Sequence, residues 1–206
     1  MDFNTFTSEI KTKINHLNPD AHQIMSPFKI KDRSNLLNSN PNPRLGGVMI
    51  LIFNKHNKAH FALIRRPIYD GVHSGQIAFP GGSKDPEDTN IEATAIRELN
   101  EEIGISSKNI DIVGRLSQIY IPPSKFLVTP IVGVLSDTPI FKKDDYEVEE
   151  IIEVPISLLF DDQIIEYGEI ETNNKYKIKS PFFNIYGHQV WGATAIILSE
   201  FKSIMK

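Results

Sequence analysis

The sequence predicts an α/β (α+β) fold, a mixed β-sheet sandwiched between α-helices. Three observations carry this. Short apolar runs bounded by polar or turn-forming residues recur along the chain and read as strands. Stretches with apolar residues three and four apart lie before, among and after them and read as helices. The two kinds of element interleave, and that order places helices on the faces of one sheet.

At the N-terminus, Phe3, Phe6, Ile10, Ile14 and Leu17 share one face of an amphipathic helix that Asn18-Pro19 stops. The stretch from Pro19 to Pro43 carries several Pro and Asn residues and reads as an irregular connector. Val48 to Phe53 is continuously apolar, a strand buried on both faces. His60 to Arg66 is its expected hairpin partner across the polar turn Asn54 to Lys58. Gly71 to Asp88, rich in Gly, Pro and Asp, reads as a structured loop. A helix over Ile91 to Ile103 follows, ended by Gly104. Further strands are expected at Ile110 to Val113, Val128 to Leu135 and Val148 to Val154. Pro155 opens a short helical turn, Gln163 to Tyr167 and Tyr176 to Ile178 form a late hairpin, and a last helix spans Ala193 to Met205. Residues 1–43 are thus an N-terminal helix and connector, and 44–206 the main domain.

Composition narrows the function classes. The 206 residues are 40% hydrophobic and 23% charged, with a formal net charge of −4, which excludes a chain-wide basic surface and argues against indiscriminate nucleic-acid binding. There is no cysteine, so disulfides, thiolate zinc sites and thiol nucleophiles are excluded. The start MDFNTFTSEIKTKINHL lacks a basic segment followed by an apolar run, and no apolar run approaches the ~20 residues that span a bilayer. A cytoplasmic location with no membrane partner is the expectation.

The chemistry concentrates in Gly81 to Asp88 and Arg97 to Ile105. On a helical wheel at about 100° per residue, with Glu98 at zero, Glu102 lies about 40° to one side and Glu101 about 60° to the other. Ile96, Leu99 and Ile103 fall on a separate apolar face. One side of the helix packs while another displays three carboxylates. Like charges at this spacing repel by a few tenths of a kcal/mol per pair. A solvated acidic face would tolerate that cost. Hard divalent cations such as Mg²⁺ or Mn²⁺ would offset it, as would a bidentate pair with Arg97.

These residues resemble the Nudix hydrolase box: Gly, five residues, Glu, seven residues, Arg-Glu, an aliphatic, any residue, Glu-Glu, any residue, Gly, an aliphatic. Gly82, Arg97, Glu98, Leu99, Glu101, Glu102, Gly104 and Ile105 match. Asp88 stands where Glu is expected, eight residues rather than seven before Arg97, suited to anchoring the loop or capping the helix. Upstream, Arg66, His73, Gly75, Gln76 and Phe79 to Gly82 are similar to the coenzyme A pyrophosphatase branch, as are Val128 to Pro130, Glu147 to Pro155 and Val190 to Ala195 downstream. The likeness departs at Asp70-Gly71, where that branch carries Leu and a basic residue.

The resemblance implies a Nudix fold over 44–206 and hydrolysis of a nucleoside diphosphate derivative by water, with divalent cations on the box carboxylates. It makes Glu98 and Glu102 primary metal ligands, Glu101 a further ligand or the general base, and Arg97 an orienter of a carboxylate. One of Glu147, Glu149 and Glu150 is expected to complete the metal site. For a coenzyme A-like substrate the products would be 3′,5′-ADP and 4′-phosphopantetheine. Other substrates in the same class are ADP-ribose, NADH or an oxidised nucleotide, and a non-catalytic nucleotide-binding module is the remaining alternative, against which the intact acids argue.

Alternation along a strand lets only one of Arg65 and Arg66 face the site, and Arg66 fits the branch spacing. His73 is expected to contact substrate or order its loop, Gln76 to orient a water at the site or pair with backbone, and Gly82 to let substrate approach the backbone. Trp191 and Tyr186 are expected in the core, and Phe79 beneath the Gly-Gly turn. The N-terminal helix has two uses open to it, covering the sheet or pairing two copies into a homodimer.

Overall fold

The central strand runs through the middle of a mixed sheet because its residues are apolar on both sides. In the computed structural model, which describes residues 1–29, 35–40, 42–71, 73–171 and 177–206, β1 (Arg44–Lys55) alternates between two cores. Ile50 and Ile52 belong to one, Met49, Leu51 and Phe53 to the other. β2 (Lys58–Arg65) returns antiparallel through a two-residue turn. His56 and Asn57 sit there at φ of 52° and 59°, the left-handed pair that fits a tight hairpin to strand twist. The turn is narrower than the sequence suggests because Asn54, Lys55 and Lys58 keep their ladder pairing.

The expected loop from Gly71 to Asp88 contains two short strands, β3 (Ile77–Ala78) on β2 and β4 (Gly81–Ser83) on β1. α2 (Ile91–Ile103) then crosses one face of the sheet, packing Ala95, Leu99 and Ile103 against Met49, Leu51 and Phe53. Asn90 caps its start through Ala93 N–H, and Gly104 ends it at a φ of 73°. β5 (Ile110–Arg115) and β6 (Ile119–Ile121) pair antiparallel with β7 (Phe126–Leu135). β7 runs parallel to β1, which makes the sheet mixed. β8 (Glu150–Pro155) pairs with β2, and the turn after Pro155 is α3 (Ile156–Leu159).

The late hairpin is longer than expected. β9 (Ile165–Glu171), β10 (Lys177–Ile185) and β11 (His188–Val190) form a second, antiparallel sheet. Tyr176, the start assigned to its second strand, lies outside the described residues, as do 30–34 and 41 of the connector. α4 (Gly192–Met205) covers the other face of the main sheet.

α1 (Phe3–Lys13) lies beside α4 and buries Phe3, Phe6, Ile10 and Ile14 in the same core as the sheet, with Phe6 and Phe201 ring centroids 6.2 Å apart. Of its two open uses, the helix covers the sheet. It ends earlier than predicted. The chain unwinds through a turn closed by His16 N–H on the Lys13 carbonyl (2.9 Å), and Leu17 is 46% exposed. Tyr186 also departs from expectation. It occupies the β10–β11 turn at a φ of 54° and is 62% exposed. Trp191 is half-buried beside a groove rather than in the core. Phe79 is buried as expected.

Candidate active site

The site is built where β4 brings its glycines against α2. Met49 N–H donates to the Pro80 carbonyl (2.8 Å), and the Gly81 and Gly82 registers oppose Val48 and Gly47. A Cβ on Gly82 would stand 2.5 Å from a Glu98 carboxylate oxygen. The missing side chain is therefore the space in which that carboxylate lies. Gly81 N–H donates to Glu102 Oε2 (2.8 Å).

The three box acids fare differently. Glu102 is fully buried, Glu98 partly, and Glu101 is exposed. The helical wheel gives direction but not depth, so it did not separate them. Burial pushes the Glu102 carboxyl up to about 8, against the opposing Arg66 charge and the Gly81 N–H. Burial also raises Glu98, while Arg97 pulls it down.

Arg97 is the hub. It donates through Nη1 to Glu98 (2.9 Å) and Glu101 (2.8 Å), and through Nη2 to the Ser83 carbonyl (3.0 Å). Nε and Nη2 also bind both oxygens of Asp88 (3.2 and 3.1 Å). Asp88 accepts further from Thr94 Oγ1 (2.8 Å) and Asp85 N–H (2.9 Å). Of the two roles open to it, Asp88 anchors the loop, and Asn90 is the cap. Hydrogen bonds from Arg97 hold its carboxyl well below the usual range, despite burial.

Glu98, Glu102 and Glu147 each bring a carboxylate oxygen to within 4.8 Å of the others. Glu101 is outside this group. Glu149 and Glu150 are elsewhere too, at 3.8 and 3.0 Å from Arg65 nitrogens. Arg66 takes the other side, its Nη2 3.8 Å from Glu102 Oε1. That oxygen is buried and receives no hydrogen bond among the described residues. A carboxyl oxygen in this state, with the Arg66 charge beside it, still lacks the hydrogen bond its burial requires. A divalent cation fits the deficit, because the donor set is all oxygen and three carboxylates converge.

Arg66, His73, Gln76, Gly81 and Gly82 line one groove of about 600 Å³. His73 Nδ1 lies 3.0 Å from Gln76 Oε1, which ties the loop across itself. The far walls are apolar, with Pro27, Phe28 and Leu36 from the connector, Tyr120 to Pro123 and Phe126 from the β6–β7 hairpin, and Ile197 from α4. Sequence reading left Glu147 as one of three acids. What separates them is that Glu149 and Glu150 are both taken by Arg65, a pairing across strands that the sequence by itself does not show.

Known proteins resemble this chain in sequence and fold. The NUDIX domain model matches residues 43–166. A Photorhabdus laumondii protein named "Uncharacterized Nudix hydrolase NudL" is 34% identical over 160 residues, 77% of this chain and 83% of that protein. A Salmonella newport protein of the same name is 30% identical over 180 residues, 87% of this chain and 91% of that one. The crystal structure of MutT protein from Methanosarcina mazei Go1 superposes with a TM-score of 0.51 at 18% identity, over 79% of this chain and 95% of the other. That likeness bears on the fold alone. No helix among the described residues is long and apolar enough to cross a membrane.

Proposed function

Because the chain belongs to the Nudix hydrolase family, we propose that it hydrolyses the diphosphate bond of coenzyme A or a derivative to 3′,5′-ADP and 4′-phosphopantetheine, using Mg²⁺ or Mn²⁺. The observation that carries the cation is the buried Glu102 oxygen without a hydrogen bond, on a carboxylate grouped with those of Glu98 and Glu147. We give Glu147, one of the three acids the sequence offered, the third ligand position, and leave Glu101 the general-base role rather than that of a further ligand. Bound there, a divalent cation neutralises diphosphate charge and acidifies the attacking water.

The chain's own groups divide the remaining work. Arg66 presents a positive charge at the head of the groove. Arg97 holds Glu98 in place from the side. Glu101, exposed at the end of Arg97, is the candidate to take the proton as the water oxygen bonds phosphorus and the bridging P–O bond breaks. The apolar groove walls support a substrate with a long uncharged arm beyond the diphosphate. The run from Arg66 to Gly82 supports the coenzyme A choice by its likeness to that branch.

A substrate panel tests this. Coenzyme A, NADH, ADP-ribose and diadenosine polyphosphates are compared by kcat/KM with Mg²⁺ and with Mn²⁺. Coenzyme A should lead by at least about tenfold, a difference of ~1.4 kcal/mol in transition-state binding. Equal rates across the panel would remove the substrate assignment. Glu98→Gln and Glu102→Gln should each cost about a thousandfold, the several kcal/mol expected of cation stabilisation. Near-normal turnover in both would remove the metal assignment.

A further inference from the structure

Glu147 sits on a loop, is exposed, and has no helix to hold it. Something else must set its carboxylate opposite Glu98 and Glu102. The loop from Lys142 to Val148 docks on the last turn of α2. Lys142 N–H donates to the Ile103 carbonyl (3.0 Å) and Asp144 N–H to the Glu102 carbonyl (2.9 Å). A Cβ on Gly104 would stand 2.8 Å from the Lys142 carbonyl oxygen, so only glycine admits the loop this close. Asp144 Oδ1 then accepts from Tyr146 N–H (2.8 Å) and Glu147 N–H (3.0 Å). The Asp144 carbonyl accepts from Val148 N–H (2.9 Å), and Val148 is fully buried against the α2 face. Lys143 Nζ closes the loop on the Val148 carbonyl (3.2 Å).

We propose that Asp144 is a positioning residue for the reaction: hung on the Glu102 carbonyl and holding the Glu147 N–H, it registers the loop carboxylate against the helix carboxylates. The inference rests on the cation site proposed above. An aspartate turn of this kind mimics a backbone turn and fixes the residues two and three ahead. Partners that orient a ligand without touching the metal are worth about 10–100-fold in metal affinity.

The test is Mn²⁺ binding to the full chain, followed by the loss of the free-ion paramagnetic resonance signal. Asp144→Ala should weaken binding about tenfold or more. Asp144→Asn, which keeps the accepting oxygen, should recover to within about threefold of wild type. In a Glu147→Gln background Asp144→Ala should add less than about twofold, because the group it positions is no longer a ligand. Turnover of Asp144→Ala should return towards normal at saturating Mn²⁺. If the alanine variant melts below the assay temperature, Asp144→Leu takes its place, since it fills similar space and accepts no hydrogen bond from either N–H group. Equal losses in the two backgrounds, or no loss in either, would overturn the proposal. Failure of the wild-type chain to bind Mn²⁺ would overturn the cation site, and this inference with it.

Discussion

Two adjacent glycines do different jobs, and the atoms they would meet tell them apart. A Cβ on Gly81 would collide with backbone, 2.4 Å from the Gly47 carbonyl oxygen and 2.6 Å from Val48 Cα. A Cβ on Gly82 would meet only the end of the Glu98 side chain, at 2.5 Å. Backbone cannot yield cheaply, whereas a carboxylate can swing away. Gly81→Ala should therefore cost the fold a few kcal/mol. Gly82→Ala should melt within a few degrees of wild type yet lose about tenfold or more in turnover and Mn²⁺ affinity. Thermal melts beside kinetics check this, and equal destabilisation of both variants would sink it. Sequence identified both glycines but not this division. It likewise named Glu98 and Glu102 outright but left Glu147 level with Glu149 and Glu150, because a wheel fixes angles along one helix and says nothing of a loop about 45 residues further on. The displacement of Glu101 was within its reach. Glu101 is four residues from Arg97, and that pairing on a helix surface competes for the carboxylate.

At the level of elements, the loop from Ser83 to Asn90 is fastened to α2 chiefly through one acid. Asp88 carries a two-point pair with Arg97 and two further hydrogen bonds, so the departure from the family box falls on the residue that fastens the loop to α2. Its folded-state pKa is depressed, chiefly by Arg97. Stability from such a group is complete above its unfolded value and is lost as pH falls below about 4. Asp88→Asn keeps the shape and removes the charge. It should lower stability at pH 7 by about 2 kcal/mol and flatten the acid limb between pH 4 and 2. Denaturant melts at pH 7, 4 and 3 would show it, and an unchanged acid limb would mean the charge is not what holds the loop. The long elements were readable, since α2 has helical periodicity and a glycine stop, and the β1 and β7 cores are long apolar runs. The two- and three-residue strands β3, β4, β6 and β11 were not. Segments this short show no alternation, and they exist because longer strands already offer them an edge.

Across the whole molecule, the groove depends on parts far apart in sequence, and Glu200 ties them. It is fully buried on α4 and accepts from Ser117 Oγ (2.6 Å) and Ser117 N–H (3.1 Å), just before β6. On its other side His22 Nε2 lies 2.7 Å away, in the segment that leads to Pro27 and Phe28. Two groove walls, the connector and the β6–β7 hairpin, are thereby pinned to the helix whose Ile197 also lines the groove. Burial acts to raise the Glu200 carboxyl, but the hydrogen bonds from His22 and Ser117 outweigh it and leave it lowered. Its contribution is therefore present above the ordinary glutamate range and lost as pH falls through it. Neither His22 nor Glu200 stood out in the sequence, since one lies in an irregular stretch and the other in an otherwise apolar helix. Glu200→Gln removes the charge from a buried network, at a cost of about 3 kcal/mol or a Tm drop of roughly 6–12 °C for a chain this size. The acid cluster does not touch this network, so kcat should stay within about twofold. The walls that grip the substrate do depend on it, and KM should rise severalfold. A fall in kcat at constant KM would place Glu200 in the chemistry instead, and no change in either would show that the groove walls hold without this tie.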